Sequence, residues 1–380
     1  MHKRLRWPHF LCFDSPKNER RAVLLHNDPT HDGPTDRVGL RIIAEGSVIP
    51  AHPLALTADR RIDERRQRAL TRYYLDAGAG GLAVGVHTTQ FGIRGAGLYP
   101  DVLRIAAEEA TTWTDRPVAL VAGVVGDTAQ AVAETETARE IGYDAVLLNL
   151  AAWRGADERD ILAHCRTVAE RSPVIGFSLL PEVGGMHLSH AFWRGFAEIE
   201  NVVAIKMAPF NRYRTLDIVR AVVDARAEDR IALYTGNDDH IVLDLLQPFD
   251  LPRDDETVRV RIVGGLLGQW SVWTRRAVEL FERVRAARNG DTVPTDLLAL
   301  DSQVTDANRA VYDAINDFAG CVPGVHEVLR RQGLLEGVWC LDEAEVLSPG
   351  QSDDIARVSA AYPHLIDDEF VTAHRDAWLS

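Results

Sequence analysis

Residues 202–208 read VVAIKMA, a continuous apolar run interrupted near its end by one lysine, Lys206. The same kind of run recurs on either side: DAVLLNL at 144–150, PVIGFSLL at 173–180, IALYTG at 231–236 and VRIVGGL at 260–266. Their starts, at 144, 173, 202, 231 and 260, are 29 residues apart, which is about what one strand, one helix and two loops occupy. Runs that are continuous rather than alternating suit parallel strands covered on both faces. Further out, 47–54 (SVIPAHPL), 81–86 (GLAVGV) and 117–125 (PVALVAGVV) raise the number of expected strands to eight. Helical patterns are expected at 62–77, 128–141, 158–171, 189–199, 215–226, 241–246 and 272–287, with Gly78 and Gly142 where C-caps belong.

Eight strand–helix units predict an α/β fold, a TIM (β/α)8 barrel, over residues 46–289. The rival, an open Rossmann sheet, wants a GxGxxG at its first strand-to-helix turn, and none stands there. Residues 1–45 read as a polar N-terminal arm. Residues 290–380 read as a C-terminal helical region, with patterns at 296–318, 322–331 and 353–361 and a break at Ser348-Pro349-Gly350.

The 380 residues carry 42 Lys and Arg against 56 Asp and Glu, a formal charge of −14. Such an acidic balance argues against a nucleic acid or an anionic membrane as partner. No apolar run reaches the ~18 residues of a membrane span. The basic start MHKRLR is followed too soon by charge for a signal-peptide core, so a cytoplasmic location is expected. Cys12, Cys165, Cys321 and Cys340 lie far apart without CxxC spacing, which gives no zinc site and no disulfide framework.

Lys206 is the most discriminating residue. Lysine occurs only at 3, 17 and 206, and arginine, which supplies nearly all the remaining cationic charge, cannot serve as an amine nucleophile. A lysine desolvated in a barrel mouth has its pKa lowered from the ordinary ~10.4, and the free amine forms Schiff bases with carbonyl compounds. A lysine at a strand end also serves simply to pair with an acid or to reach water.

Val202-Val203-Ala204-Ile205-Lys206 resembles the Schiff-base strand of the dihydrodipicolinate synthase and N-acetylneuraminate lyase superfamily, whose members are TIM barrels followed by C-terminal helices. Other stretches fall in step with that family: Ala51-His52-Pro53-Leu54 with Ile62-Asp63, 77–82 (AGAGGL), 117–124 (PVALVAGV), 142–146 (GYDAV), Thr235-Gly236-Asn237-Asp238, the region from Gly264-Gly265 through Trp270 to Ser271-Val272, and 325–335 (VHEVLRRQGLL). The resemblance implies a class I aldolase or hydro-lyase that acts on a 2-keto acid such as pyruvate or a sugar-derived homologue. It implies a covalent imine at Lys206 in place of any cofactor or metal, and a homo-oligomer, dimer or tetramer.

Roles carry over unevenly. His87-Thr88-Thr89-Gln90 stands where the family grips the substrate carboxylate, so Thr88 and Thr89 are expected as a hydroxyl clamp, with Gly236 and Asn237 at a second turn and Trp270 nearby. The family's relay tyrosine aligns with Trp153, which has no acid–base equilibrium near neutrality, and its YNxP motif reads Ser178-Leu179-Leu180-Pro181. Trp153 and Ser178 are therefore expected to line the substrate site without relaying protons, and true dihydrodipicolinate synthase activity is not expected. His87 is the first candidate for proton transfer, ahead of His52 and Tyr234. Two alternatives stay open: a metal-dependent barrel hydrolase or lyase built on His52, His87, Asp238, Asp239 and His240, and a catalytically inactive barrel that binds a keto acid.

Overall fold

The computed structural model describes residues 38–290 and 292–380. Lys3, Lys17, Cys12 and the expected arm up to residue 37 lie outside them.

Eight parallel strands make the barrel: β1 (Val48–Pro50), β2 (Gly81–Val84), β3 (Ala119–Val124), β4 (Ala145–Leu148), β5 (Val174–Leu179), β6 (Val202–Ala208), β7 (Ala232–Thr235) and, after an intervening hairpin strand β8 (Pro248–Arg253), β9 (Glu256–Leu267). Neighbours pair in sequence order from β2 to β7, then β9, then β1. The ring closes through a parallel bridge between Ala51 and Ala83, with the His52 amide donating to the Ala83 carbonyl at 2.8 Å. The eight expected runs are thus the eight barrel strands, β6 coinciding with its run and the others trimmed or extended at their ends.

Helix α1 (Val38–Glu45) precedes the ring, and helices α2 (Glu64–Ala77), α3 (Tyr99–Thr112), α4 (Thr128–Ile141), α5 (Glu158–Ala169), α6 (His190–Ala197), α7 (Arg212–Asp224), α8 (Ile241–Leu246) and α9 (Thr274–Arg288) wrap it. Asp63 and Asp127 cap α2 and α4 by accepting from the amides of Arg66 and Gln130. Gly78 and Gly142 end these two helices at φ 95° and 108°, the left-handed C-cap conformation that glycine adopts without strain. Small residues inside the ring let it close on a narrow interior: Ala83, Ala119, Ala145, Ala204 and Ala232 pack with Val121, Leu147, Ile175 and Leu266. α1 plugs the N-terminal end of that interior with Leu40 and Ile43, and the Tyr234 hydroxyl donates to the Ile43 carbonyl at 2.8 Å. A larger apolar layer lies between strands and helices.

The C-terminal stretch is helical as expected: α10 (Thr295–Val311), α11 (Cys321–Arg331), α12 (Gln351–Ala361) and a further helix, α13 (Asp368–Trp378). No helix among the described residues is long and apolar enough to cross a membrane.

Candidate active site

Lys206 is the fifth residue of β6, in register between Phe177 of β5 and Tyr234 of β7. Strand alternation puts Ala204, Lys206 and Ala208 on the inner face: Ala204 packs in the barrel interior, and the other two line a cavity at the C-terminal mouth. That cavity is open to solvent and offers about 60 Å³ to the centres of water-sized groups. The ammonium lies 4.3 Å from the centroid of the Phe177 ring, and the residue is only 9% exposed. Gly236, just past β7, leaves the lysine its space, since a Cβ there would approach Lys206 Cε to 2.7 Å.

Asp238 lines the same cavity. Its Oδ1 is buried without a hydrogen-bond partner among the described residues. Burial pushes the Lys206 ammonium below its ordinary range, and the Asp238 charge pulls it partly back. The same burial pushes the Asp238 carboxyl well above its ordinary range, with Lys206 opposing. Burial thus moves the proton affinities of the amine and the carboxyl toward each other.

His87, Thr88 and Thr89 form a short 3₁₀ turn behind β2. His87 lines the cavity and tilts against the Phe91 ring at 5.9 Å. Burial, and then the Lys206 charge, bring its pKa down to about 4, so the imidazole is neutral at pH 7. Thr88 lines the cavity with a buried Oγ1 that has no partner among the described residues. Thr89 differs: its hydroxyl donates to the His52 carbonyl at 2.6 Å and accepts from the Gly85 amide at 3.0 Å. The expected paired clamp is thus one free hydroxyl and one that holds the turn in place. Arg94, in the loop inserted after this turn, is fixed by Glu134 at 3.0 Å and by the carbonyls of Gly85 and Gly123.

Several other expected site residues are not brought to the cavity. Asn237 points into a structural network, accepting from the Phe210 amide at 3.0 Å and donating to Asp244 at 3.0 Å and to Thr215 at 3.3 Å. Trp153 stacks on His164 with ring centroids 4.7 Å apart. Ser178 faces a neighbouring hollow with Met186, His187 and Trp193. Trp270 packs on Phe281 and fills the space over Gly265. His52 is fully buried, hydrogen-bonded to the Pro53 carbonyl, Thr71 and Gln67. Tyr234 spends its hydroxyl on α1 at the opposite end of the barrel. The five residues of the metal alternative are not gathered either: His52 is in that internal network, His240 lies 3.6 Å from Asp301, and no group of three or more His, Cys, Asp or Glu among the described residues is placed to hold a metal ion.

Several lining residues were not anticipated, among them Phe177, Val183 and Phe210 of the barrel and Tyr312, Phe318 and Cys321, which lie between the end of α10 and the start of α11. Gly268 admits Tyr312, because a Cβ there would sit 1.3 Å from the phenol oxygen. No local motif marks the three C-terminal residues, since their role depends on where the C-terminal helices return over the mouth.

Comparison with known proteins places the chain in a family. A model of the dihydrodipicolinate synthetase family matches residues 45–248, more than half of the chain. The chain belongs to the dihydrodipicolinate synthetase family. The 4-hydroxy-tetrahydrodipicolinate synthase of Bifidobacterium longum is 28% identical over 195 residues, which are 51% of this chain and 60% of that protein. The corresponding synthase of Staphylococcus saprophyticus is 30% identical over 131 residues, 34% of this chain and 43% of its own. The similarity therefore spans less than two thirds of either relative. In fold the likeness is wider. The dihydrodipicolinate synthase structure from Oceanobacillus iheyensis aligns with a TM-score of 0.69 at 16% identity, over 86% of this chain and 99% of its own. The N-acetylneuraminate lyase of Fusobacterium nucleatum, solved with pyruvate, aligns with a TM-score of 0.67 at 17% identity, over 86% and 98%. The family match ends at residue 248, so Tyr312, Phe318 and Cys321 lie beyond it.

Proposed function

We propose that this family member is a lyase, an aldolase or hydro-lyase, that forms a Schiff base between Lys206 and a 2-keto acid. The observation that carries the reading is the lysine at the C-terminal end of β6, buried in the cavity against Phe177 and facing a carboxyl with raised proton affinity. The free amine adds to the keto carbon while its proton passes to the carbonyl oxygen, giving a carbinolamine. Asp238 protonates the hydroxyl, which leaves as water as the nitrogen lone pair closes the protonated imine. In the aldolase direction the Asp238 carboxylate then takes the C4 hydroxyl proton, the C3–C4 bond breaks toward the imine, and an aldehyde leaves behind an enamine. Asp238 returns its proton to C3, and water releases the shortened keto acid and the free amine.

Thr88 donates to the substrate carboxylate and fixes the keto carbon over the amine, and orientation of this kind lowers the barrier. His87, expected from its ordinary pKa to carry protons, serves as a neutral hydrogen-bonding partner, and the acid–base role passes to Asp238. Condensation of pyruvate with aspartate semialdehyde is not the proposed reaction: Trp153 stands in the aligned tyrosine's place and is stacked on His164 outside the cavity. The test is incubation with a panel of 2-keto acids and borohydride, followed by intact mass and peptide mapping. An adduct at Lys206, lost in Lys206→Arg, is expected, because arginine keeps the charge without the nucleophilic amine. Labelling at Lys3 or Lys17 instead, or turnover surviving that substitution, would refute the imine mechanism.

A further inference from the structure

The cavity has few polar side chains: Lys206, Asp238, His87 and Thr88 from strand ends around the mouth, and Tyr312 and Cys321 from the C-terminal region. The rest of its wall is dominated by Phe177, Leu179, Leu180, Val183, Phe210 and Phe318. Among the described residues no arginine, asparagine or glutamine lines it, so a chain of substrate hydroxyls extending from the lysine would meet hydrocarbon and lose its hydrogen bonds to water.

The backbone gives a second, independent sign. Phe210 and Phe318 both adopt the left-handed region, at φ 47° and 66°, which bulky side chains avoid. Each is held there: the Phe210 amide donates to Asn237 Oδ1 at 3.0 Å, and the Phe318 amide donates to the Asp313 carbonyl at 3.1 Å. The two rings meet edge to face, centroids 5.7 Å apart, one from the loop after β6 and one from the C-terminal region. Both are only half-buried, so part of each ring remains open. Strain of this sort persists where the surroundings enforce it, and here both rings line the cavity.

We propose that the substrate is a 2-keto acid bearing an apolar, aryl-sized group beyond C4, and that the wall formed by Phe210 and Phe318 selects that group over a polyhydroxylated chain. The assignment rests on the Lys206 lyase reading. The keto carboxylate lies at Thr88, the keto carbon at Lys206, and the apolar end against the two phenylalanines, which in the cleavage direction become the seat of an aromatic or branched aliphatic aldehyde.

The experiment compares two substrates that both yield pyruvate, 4-hydroxy-2-oxo-4-phenylbutanoate and 4,5,6-trihydroxy-2-oxohexanoate, by kcat/KM for pyruvate release, alongside borohydride trapping of pyruvate itself. The aryl substrate is expected to be preferred by at least ~10-fold, as burial of a side-chain-sized apolar group provides. Phe210→Gly and Phe318→Gly suit the left-handed positions, so the fold survives them, and each should collapse the preference. Trapping of pyruvate at Lys206 together with equal or better use of the triol would overturn the substrate class and leave the lyase reading standing. A preference unchanged in both glycine variants would overturn the assignment to this wall. Absence of any adduct would remove the lyase reading and this one with it.

Discussion

Lys206 and Asp238 show how one residue's chemistry is set by another's burial. Asp238 raises the lysine's proton affinity while desolvation lowers it, and desolvation is the larger effect. In Asp238→Asn the anion is gone, so the amine should release its proton at lower pH and the pH profile of adduct formation should shift toward acid. Turnover should fall by ~10²- to 10⁴-fold with loss of the acid–base group, measured as steady-state kcat beside the trapping rate. A profile that stays in place would show that the two charges do not communicate; unchanged turnover would assign proton transfer elsewhere. Lys206 was legible because lysine is so scarce, but Asp238 was noticed only as part of a turn and of a metal set. Its closeness to the lysine arises because β6 and β7 are neighbours and both end at the mouth.

The turn His87–Thr89 makes two threonines unlike, though in sequence they look interchangeable. Thr88→Val removes a hydroxyl that faces the cavity, and keto-acid use should weaken ~10- to 150-fold with the unfolding midpoint in urea unchanged. Thr89→Val leaves the buried Gly85 amide without its acceptor and should cost ~1–3 kcal/mol of stability in the same urea measurement. The reverse pattern would exchange their roles. Elements were missed where a pattern was present but masked. α3 has Pro100 in its first turn and apolar Val102, Leu103, Ile105 and Ala106, yet it was not among the expected helices. β8 alternates Phe249 and Leu251 with exposed Pro248 and Asp250, and the part of β9 it pairs with, 256–261 (ETVRVR), is charged and largely exposed, so the hairpin did not stand out as an apolar run. Antiparallel alternation beside a parallel, continuous strand is a change of period within one element, and a single reading of the run hides it.

At the scale of the molecule, the C-terminal helices both complete the cavity wall and clamp the barrel. Trp378 is fully buried, donates to Asp76 at 2.7 Å and packs against Tyr73 and Phe370, while the Tyr73 hydroxyl donates to Asp367 at 2.8 Å. Trp378→Ala should therefore cost ~3–5 kcal/mol, read as a lower urea midpoint. Trapping at Lys206 should persist wherever the variant remains folded, because Trp378 is not among the cavity residues. Loss of trapping in fully folded Trp378→Ala would mean that this contact also shapes the site.

The eight strands, the barrel and the lysine within the sixth strand followed from the sequence itself, because continuous β-branched runs at a regular spacing and a lone amine within one of them are local properties. Which hydroxyl, which carboxyl and which aromatic rings surround that amine was decided only by the tertiary structure. Thr88 and Thr89 part company through the hydrogen bonds of Thr89 to His52 and Gly85, and Asp238 comes to the cavity from the loop after the next strand. Tyr312, Phe318 and Cys321 arrive from more than a hundred residues away. Closing a barrel brings the ends of distant strands and the returning helices to one mouth, and nothing in the local pattern of a segment encodes which residues it will meet there.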